Sequence, residues 1–189
     1  MKNKSIFGLL INPFVRIAGW QAFGLGLVFV LLMGFIGASN GIAFDGVFDM
    51  HLFETTVQQS FAYLAIDLGS LVLTMWIIGL IVSKNVRFID ILGTMTLARA
   101  PFLLLALMGY FTTAPNMSEI MKNPYVILQS TSFLMMIVLT VPIMVWCITL
   151  MYKALKVSCD LKGSTLTASF IIGLFVSEII AKILIHYFV

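Results

Sequence analysis

The chain of 189 residues is 61% hydrophobic and only 10% charged, with a mean hydropathy of +1.09. Soluble domains carry about a quarter charged residues, so this composition excludes a water-surrounded globule and calls for lipid around most of the surface. The net charge of +3 is small, and the basic residues gather in loops on one side, which excludes a nucleic-acid footprint.

Crossing the hydrocarbon core takes about 20 mostly apolar residues. Residues 6–17, broken by Asn12-Pro13, are too short to span and are expected to form an interfacial lead-in. The first span is expected over 20–38, which has no charge. Lys2 and Lys4 stand too far from it for the n-region of a signal peptide, so an uncleaved helix is expected. Residues 40–60 mix Phe44, Val47, Phe48, Leu52 and Phe53 with Asp45, Asp49 and Glu54. This pattern predicts a segment on the outer surface, with a short amphipathic helix. The second span is expected over 61–82, interrupted by Asp67, and the third over 91–111, containing Arg99 and Pro101. Residues 115–124 read as a simple outer loop. The fourth span is expected over 126–151, with Pro142 in its inner half, and the fifth over 166–188, carrying Glu178 and Lys182. The reading is one all-α domain over residues 1–189, a five-helix transmembrane bundle.

Loop charges orient it. Lys2, Lys4, Arg16, Lys84, Arg87, Lys153, Lys156 and Lys162 share one side, and only Lys122 falls on the other. Eight against one places the N-terminus in the cytoplasm and the C-terminus outside. A re-entrant third segment would move Lys153, Lys156 and Lys162 outside and break the rule, so five spans are favoured over four.

Four charged side chains fall within the spans: Asp67, Arg99, Glu178 and Lys182. A charge at membrane depth costs at least about 2.5 kcal/mol, so such residues face the bundle interior and pair. Glu178 and Lys182 are i,i+4 neighbours on one helix face. From depth along each helix, one cluster is expected, with Arg99 meeting Glu178 and Asp67 meeting Lys182. Two acids and two bases can neutralise one another, which favours an ionic staple between helices over a water-filled path for protons or a small ion.

The fifth span also carries Ser169, Gly173, Ser177 and Ala181 at every fourth position, a spacing that lets another helix approach closely. Packing inside the monomer is favoured, with a dimer or partner-subunit interface as the alternative. Pro101 and Pro142 mark helix kinks, since each removes a helical hydrogen bond. Cys147 and Cys159 make no disulfide framework, and His51 and His186 have no metal-ligand spacing, so neither metal nor cofactor is expected. His-Glu-x-x-His, Gly-x-Ser-x-Gly and phosphate-cradling patterns are missing, and a catalytic role is not expected.

The lead-in Leu10-Ile11-Asn12-Pro13-Phe14 and the stretch Phe88-Ile89-Asp90-Ile91-Leu92-Gly93-Thr94 resemble the Yip1-domain family of five-span membrane proteins, in its bacterial branch. So do Ala98-Arg99-Ala100-Pro101 and Tyr152-Lys153-Ala154-Leu155-Lys156. The resemblance implies five spans, a cytoplasmic N-terminus and the bacterial inner membrane. Eukaryotic relatives act through partner GTPases with a long cytoplasmic N-terminal region, where this chain has about nineteen residues before its first span. The expected role is a non-enzymatic membrane scaffold or accessory subunit, with membrane lipids, a second copy or a partner subunit as its contacts and no nucleic acid. The alternatives are a small transporter or channel using the charge cluster, and a lipid-handling protein with lipid in a groove near Pro101.

Overall fold

The computed structural model describes residues 6–83, 86–112 and 121–189. Lys2, Lys4, Lys84 and most of the 115–124 loop lie outside the described residues. A short helix α1 (Ile6–Ile11) and a 3-10 turn (Pro13–Val15) lead into α2 (Gly19–Asn40). Two short strands follow, β1 (Ile42–Ala43) and β2 (His51–Leu52), antiparallel with Ile42 opposite Leu52. The second span is α3 (Val57–Val82), and the third is split into α4 (Phe88–Ala98) and α5 (Phe102–Gly109). One turn, α6 (Val126–Gln129), precedes α7 (Thr131–Cys159) and α8 (Gly163–Phe188). With α4 and α5 taken together, five helices among the described residues are long and apolar enough to cross a membrane, as in a multi-pass membrane protein.

Helix ends follow local chemistry. α3 starts four residues before the apolar run because Thr56 and Gln59 form a capping box: Gln59 N–H donates to Thr56 Oγ1 at 3.2 Å, and Thr56 N–H to Gln59 Oε1 at 3.0 Å. α7 continues past the expected end at 151, through Lys153 and Lys156, until Asp160 closes it in a left-handed conformation at φ 47°. Pro101 splits the third span. Around it the bonds shift to the tighter i to i+3 pattern, from Ala100 N–H to Leu97 O and from Phe102 N–H to Arg99 O. α7 runs through Pro142 without interruption.

The third span is the hub. Two thirds (67%) of its apolar window is buried, against 39% or less in the other four. α2 lies directly against it, close enough that a Cβ on Gly26 would stand 2.5 Å from the backbone nitrogen of Leu97. α7 joins its Phe88 end, where Thr94 Oγ1 and Ser158 Oγ are 3.0 Å apart and both approach the Asp90 carbonyl. One core cluster gathers Leu71, Met75, Met95, Met151 and Leu155, and a second holds Met33, Phe44, Phe102, Leu105 and Met136.

The small-residue stripe packs inside the monomer. Ser169, Gly173, Ser177 and Ala181 are buried, and a Cβ on Gly173 would stand 2.8 Å from Met75 Sδ on α3. The lead-in folds back against the fourth span. Phe14 is buried, and Trp146 Nε1 on α7 donates to the Leu10 carbonyl at 3.0 Å.

One expectation is corrected. Residues 40–60 do not form a surface amphipathic helix. After α2 closes at Gly41 the chain turns into the bundle, and Ile42, Ala43, Phe44 and Val47 are fully or almost fully buried. The reason lies in the groups awaiting this backbone inside the bundle.

Candidate functional site

Asp67 sits on α3 about 15 Å from the Val57 end, at 1.5 Å per residue. Arg99 occupies the break after α4, about 16 Å from Phe88 at the opposite end of its own span. The two therefore meet at mid-bundle. Arg99 Nη2 lies 3.4 Å from Asp67 Oδ2, and neither side chain has any exposed surface. The same Nη2 donates to the Gly46 carbonyl at 3.2 Å, and the Arg99 guanidinium stands 5.8 Å from the Phe102 ring centre. Arg99 Nε and Nη1 and Asp67 Oδ1 make no hydrogen bond among the described residues.

Glu178 lies at a similar depth on α8 but faces backbone. Its Oε2 accepts the Val47 N–H at 2.7 Å and the Phe48 N–H at 3.4 Å. Gly46 fits between these partners because it has no side chain: a Cβ there would stand 2.5 Å from Glu178 Oε1. Lys182, one turn closer to the chain end and 4.0 Å from Glu178 Oε1, reaches the loop carboxylates. Its Nζ is 3.3 Å from Asp45 Oδ2 and 3.1 Å from Asp49 Oδ2. His51 Nδ1 lies 2.8 Å from Asp45 Oδ1.

The four intramembrane charges thus converge, but not in the expected pairs. Arg99 meets Asp67 instead of Glu178, and Lys182 meets Asp45 and Asp49 instead of Asp67. The cause is the inward loop, which brings two carboxylates, a carbonyl and two amides that a surface helix would have kept away. The charge balance changes too. Asp45, Asp49, Asp67 and Glu178 face Arg99 and Lys182, so four acids against two bases leave a formal charge of −2 with His51 neutral. Sequence reading missed Asp45, Gly46 and Asp49. Asp45-Gly46 is a turn signal in its own right, and an intramembrane lysine near a helix end asks for nearby acids.

Two hollows flank this network. One, of 790 Å³, lies between the loop and α7, lined by Asp45, Asp49, His51, Met136, Thr140 and Met144 among others. The other, of 350 Å³, is almost wholly apolar and lies beside Pro101, between Leu10, Phe29, Leu104 and Trp146. That is the position expected for a lipid groove. At the Phe88 end of the third span Arg87 Nε pairs with Asp90 Oδ2 at 2.7 Å, at the rim of a polar hollow that also includes Ser83 and Ser158.

Compared with protein-family models, with curated proteins and with solved structures, the chain matches none of them.

Proposed function

We propose that this multi-pass membrane protein is a non-enzymatic scaffold or accessory subunit of a larger membrane complex, built to present a rigid outer loop. One observation carries the reading: every intramembrane charge is bonded to the 45–49 loop or to a residue that is. Arg99 holds the Gly46 carbonyl, Glu178 holds the Val47 and Phe48 amides, and Lys182 holds Asp45 and Asp49. Non-helical backbone at membrane depth persists only where protein groups satisfy it. Here the ionic groups do that work, which makes them a clamp on a loop and leaves them poorly placed for ion passage.

The reading includes the Yip1-like resemblance, the bacterial inner membrane and a cytoplasmic N-terminus. The side-chain chemistry of Arg16, Arg87, Lys153, Lys156 and Lys162 against Lys122 supports that orientation. A second reading, lipid handling, is favoured by the apolar hollow beside Pro101. Gentle extraction of the tagged protein at native levels, with the mass of the intact complex determined, separates the two. A stoichiometric partner protein is expected. A lone monomer carrying retained lipid would overturn the scaffold reading in favour of the second.

A further inference from the structure

The first half of the fourth span turns most of its apolar surface outward. Along α7 the buried residues are Met136 and then, only from the middle onward, Cys147, Leu150, Met151, Ala154, Leu155 and Cys159. Ile137, Val138 and Val141 are 45%, 67% and 62% exposed, on a stretch whose inner continuation is packed. Between this half and the clamped loop lies the 790 Å³ cleft. Its size falls within the range of about 300–1,000 Å³ that small-molecule sites occupy.

The two ends of the cleft differ in chemistry. Its long wall is apolar, from Phe133 through Met136, Ile137 and Val141 to Met144, and covers about 16 Å of helix at 1.5 Å per residue. Its head is Asp45, Asp49 and His51. The carboxylates there are partly open, Asp45 at 16% and Asp49 at 39%, and belong to the network whose formal charge is −2. Asp45 is met by Lys182 and His51, and Asp49 by Lys182 and the Met50 N–H; a carboxylate has about four lone-pair sites, so acceptor capacity remains. A phosphate or carboxylate head would meet like charge. An ammonium head would offset one of the two negative charges that the bases leave uncompensated, while a hydrocarbon tail lies along α7.

We propose that this cleft binds a cationic amphiphile, one ammonium head on a hydrocarbon tail, taken from the surrounding leaflet, with Asp45 and Asp49 holding the head and Met136, Thr140 and Met144 flanking the tail. The site is independent of the scaffold reading, since a rigid loop is needed for either.

Three of the chain's methionines report on it directly. Met50, Met136 and Met144 line the cleft, whereas Met75 and Met95 are buried in the other core cluster and serve as internal references. The full-length protein, labelled with methyl-¹³C methionine in phosphatidylcholine nanodiscs, is titrated with decyltrimethylammonium or with uncharged 1-decanol. Saturable methyl shifts are expected at Met50, Met136 and Met144 and not at the references, with the cation bound about tenfold more tightly than the alcohol. The double variant D45N/D49N is expected to erase that preference, the cation then binding no more tightly than the alcohol. Thr140→Trp, which fills the apolar wall without touching the carboxylates, is expected to weaken both ligands at least tenfold. Should the double variant fail to fold, the two-ligand comparison in the native chain and the Thr140→Trp titration still decide. Equal affinity for cation and alcohol, shifts spread over the reference methionines, or full binding by Thr140→Trp would each overturn the proposal.

Discussion

The Asp67–Arg99 pair supplies the sharpest test of the clamp, because its two charges have no exposed side-chain surface at all. Replacing Asp67 by Asn keeps the shape and removes the countercharge. The guanidinium then stays buried with neutral acceptors alone, the new amide oxygen and the Gly46 carbonyl, and Nε and Nη1 already make no hydrogen bond among the described residues. Breaking a buried pair from one side costs about 3–5 kcal/mol, a large share of the roughly 5–15 kcal/mol that holds a typical fold. Removing both charges is a different matter. An Asp67→Leu, Arg99→Met double variant escapes two desolvation penalties, which is worth about 1–4 kcal/mol in comparable replacements. It also strands the buried Gly46 carbonyl, at a cost of about 1–3 kcal/mol. The two nearly cancel, so the double variant is expected within about 2 kcal/mol of the native chain. Reversible unfolding in mixed micelles measures all three proteins, and amide exchange at Val47 reports whether the loop has been released. A D67N variant within about 1 kcal/mol of native, or a double variant less stable than D67N, would refute the reasoning.

Other predictions follow from neighbouring contacts. Glu178→Ala is expected to cost about 1.5–3 kcal/mol, because a charged acceptor is lost from the Val47 and Phe48 amides, whereas Glu178→Gln keeps an acceptor and recovers part of it. Amide exchange at positions 47 and 48 orders the three proteins. Gly26→Ala is expected to destabilise the α2–α4 contact by about 1–3 kcal/mol, since its Cβ would meet backbone at 2.5 Å. Gly24→Ala, with nothing within 4 Å, is expected to be neutral or stabilising by up to about 1 kcal/mol, and thermal melts of the pair check the contrast. For orientation, Glu54→Cys is expected to react with a membrane-impermeant maleimide in intact cells and Lys162→Cys only after permeabilisation. Cys147 and Cys159, buried at 0% and 3% exposure, give little background. Labelling in the reverse order would invert the topology.

The spans were legible because length and apolarity suffice: hydrocarbon thickness sets the count, whatever the helices do to one another. Their ends were less so. The helix start at Val57 was written in Thr56 and Gln59, a capping pair that apolarity alone overlooks. The continuation of α7 through Lys153 and Lys156 was hidden by treating charge as the end of a helix, although lysine is a good helix former and its long stem can carry the charge to the boundary. The stripe from Ser169 to Ala181 was legible as a close-packing face, and only coordinates could say that α3 is what packs there.

The loop was illegible for a physical reason that also explains the mispaired charges. Phe44, Val47 and Phe48 fall at i, i+3 and i+4, the spacing of an amphipathic helix, so periodicity argued for one. A helix would have bonded the Gly46 carbonyl and the Val47 and Phe48 amides to its own backbone. Instead these atoms find Arg99 and Glu178, side chains distant in sequence that wait inside the bundle. Charge-assisted hydrogen bonds are roughly twice as strong as neutral ones, so they can outbid the local helix and draw the segment inward. The same exchange redirects the charges: once Glu178 is engaged by amides, Arg99 must take its countercharge from Asp67, and Lys182 must take its own from Asp45 and Asp49. A sequence displays which side chains are ionised, but it does not display which backbone atoms lack a partner. In this protein those atoms decide both the course of the loop and the pairing of every charge within the bundle.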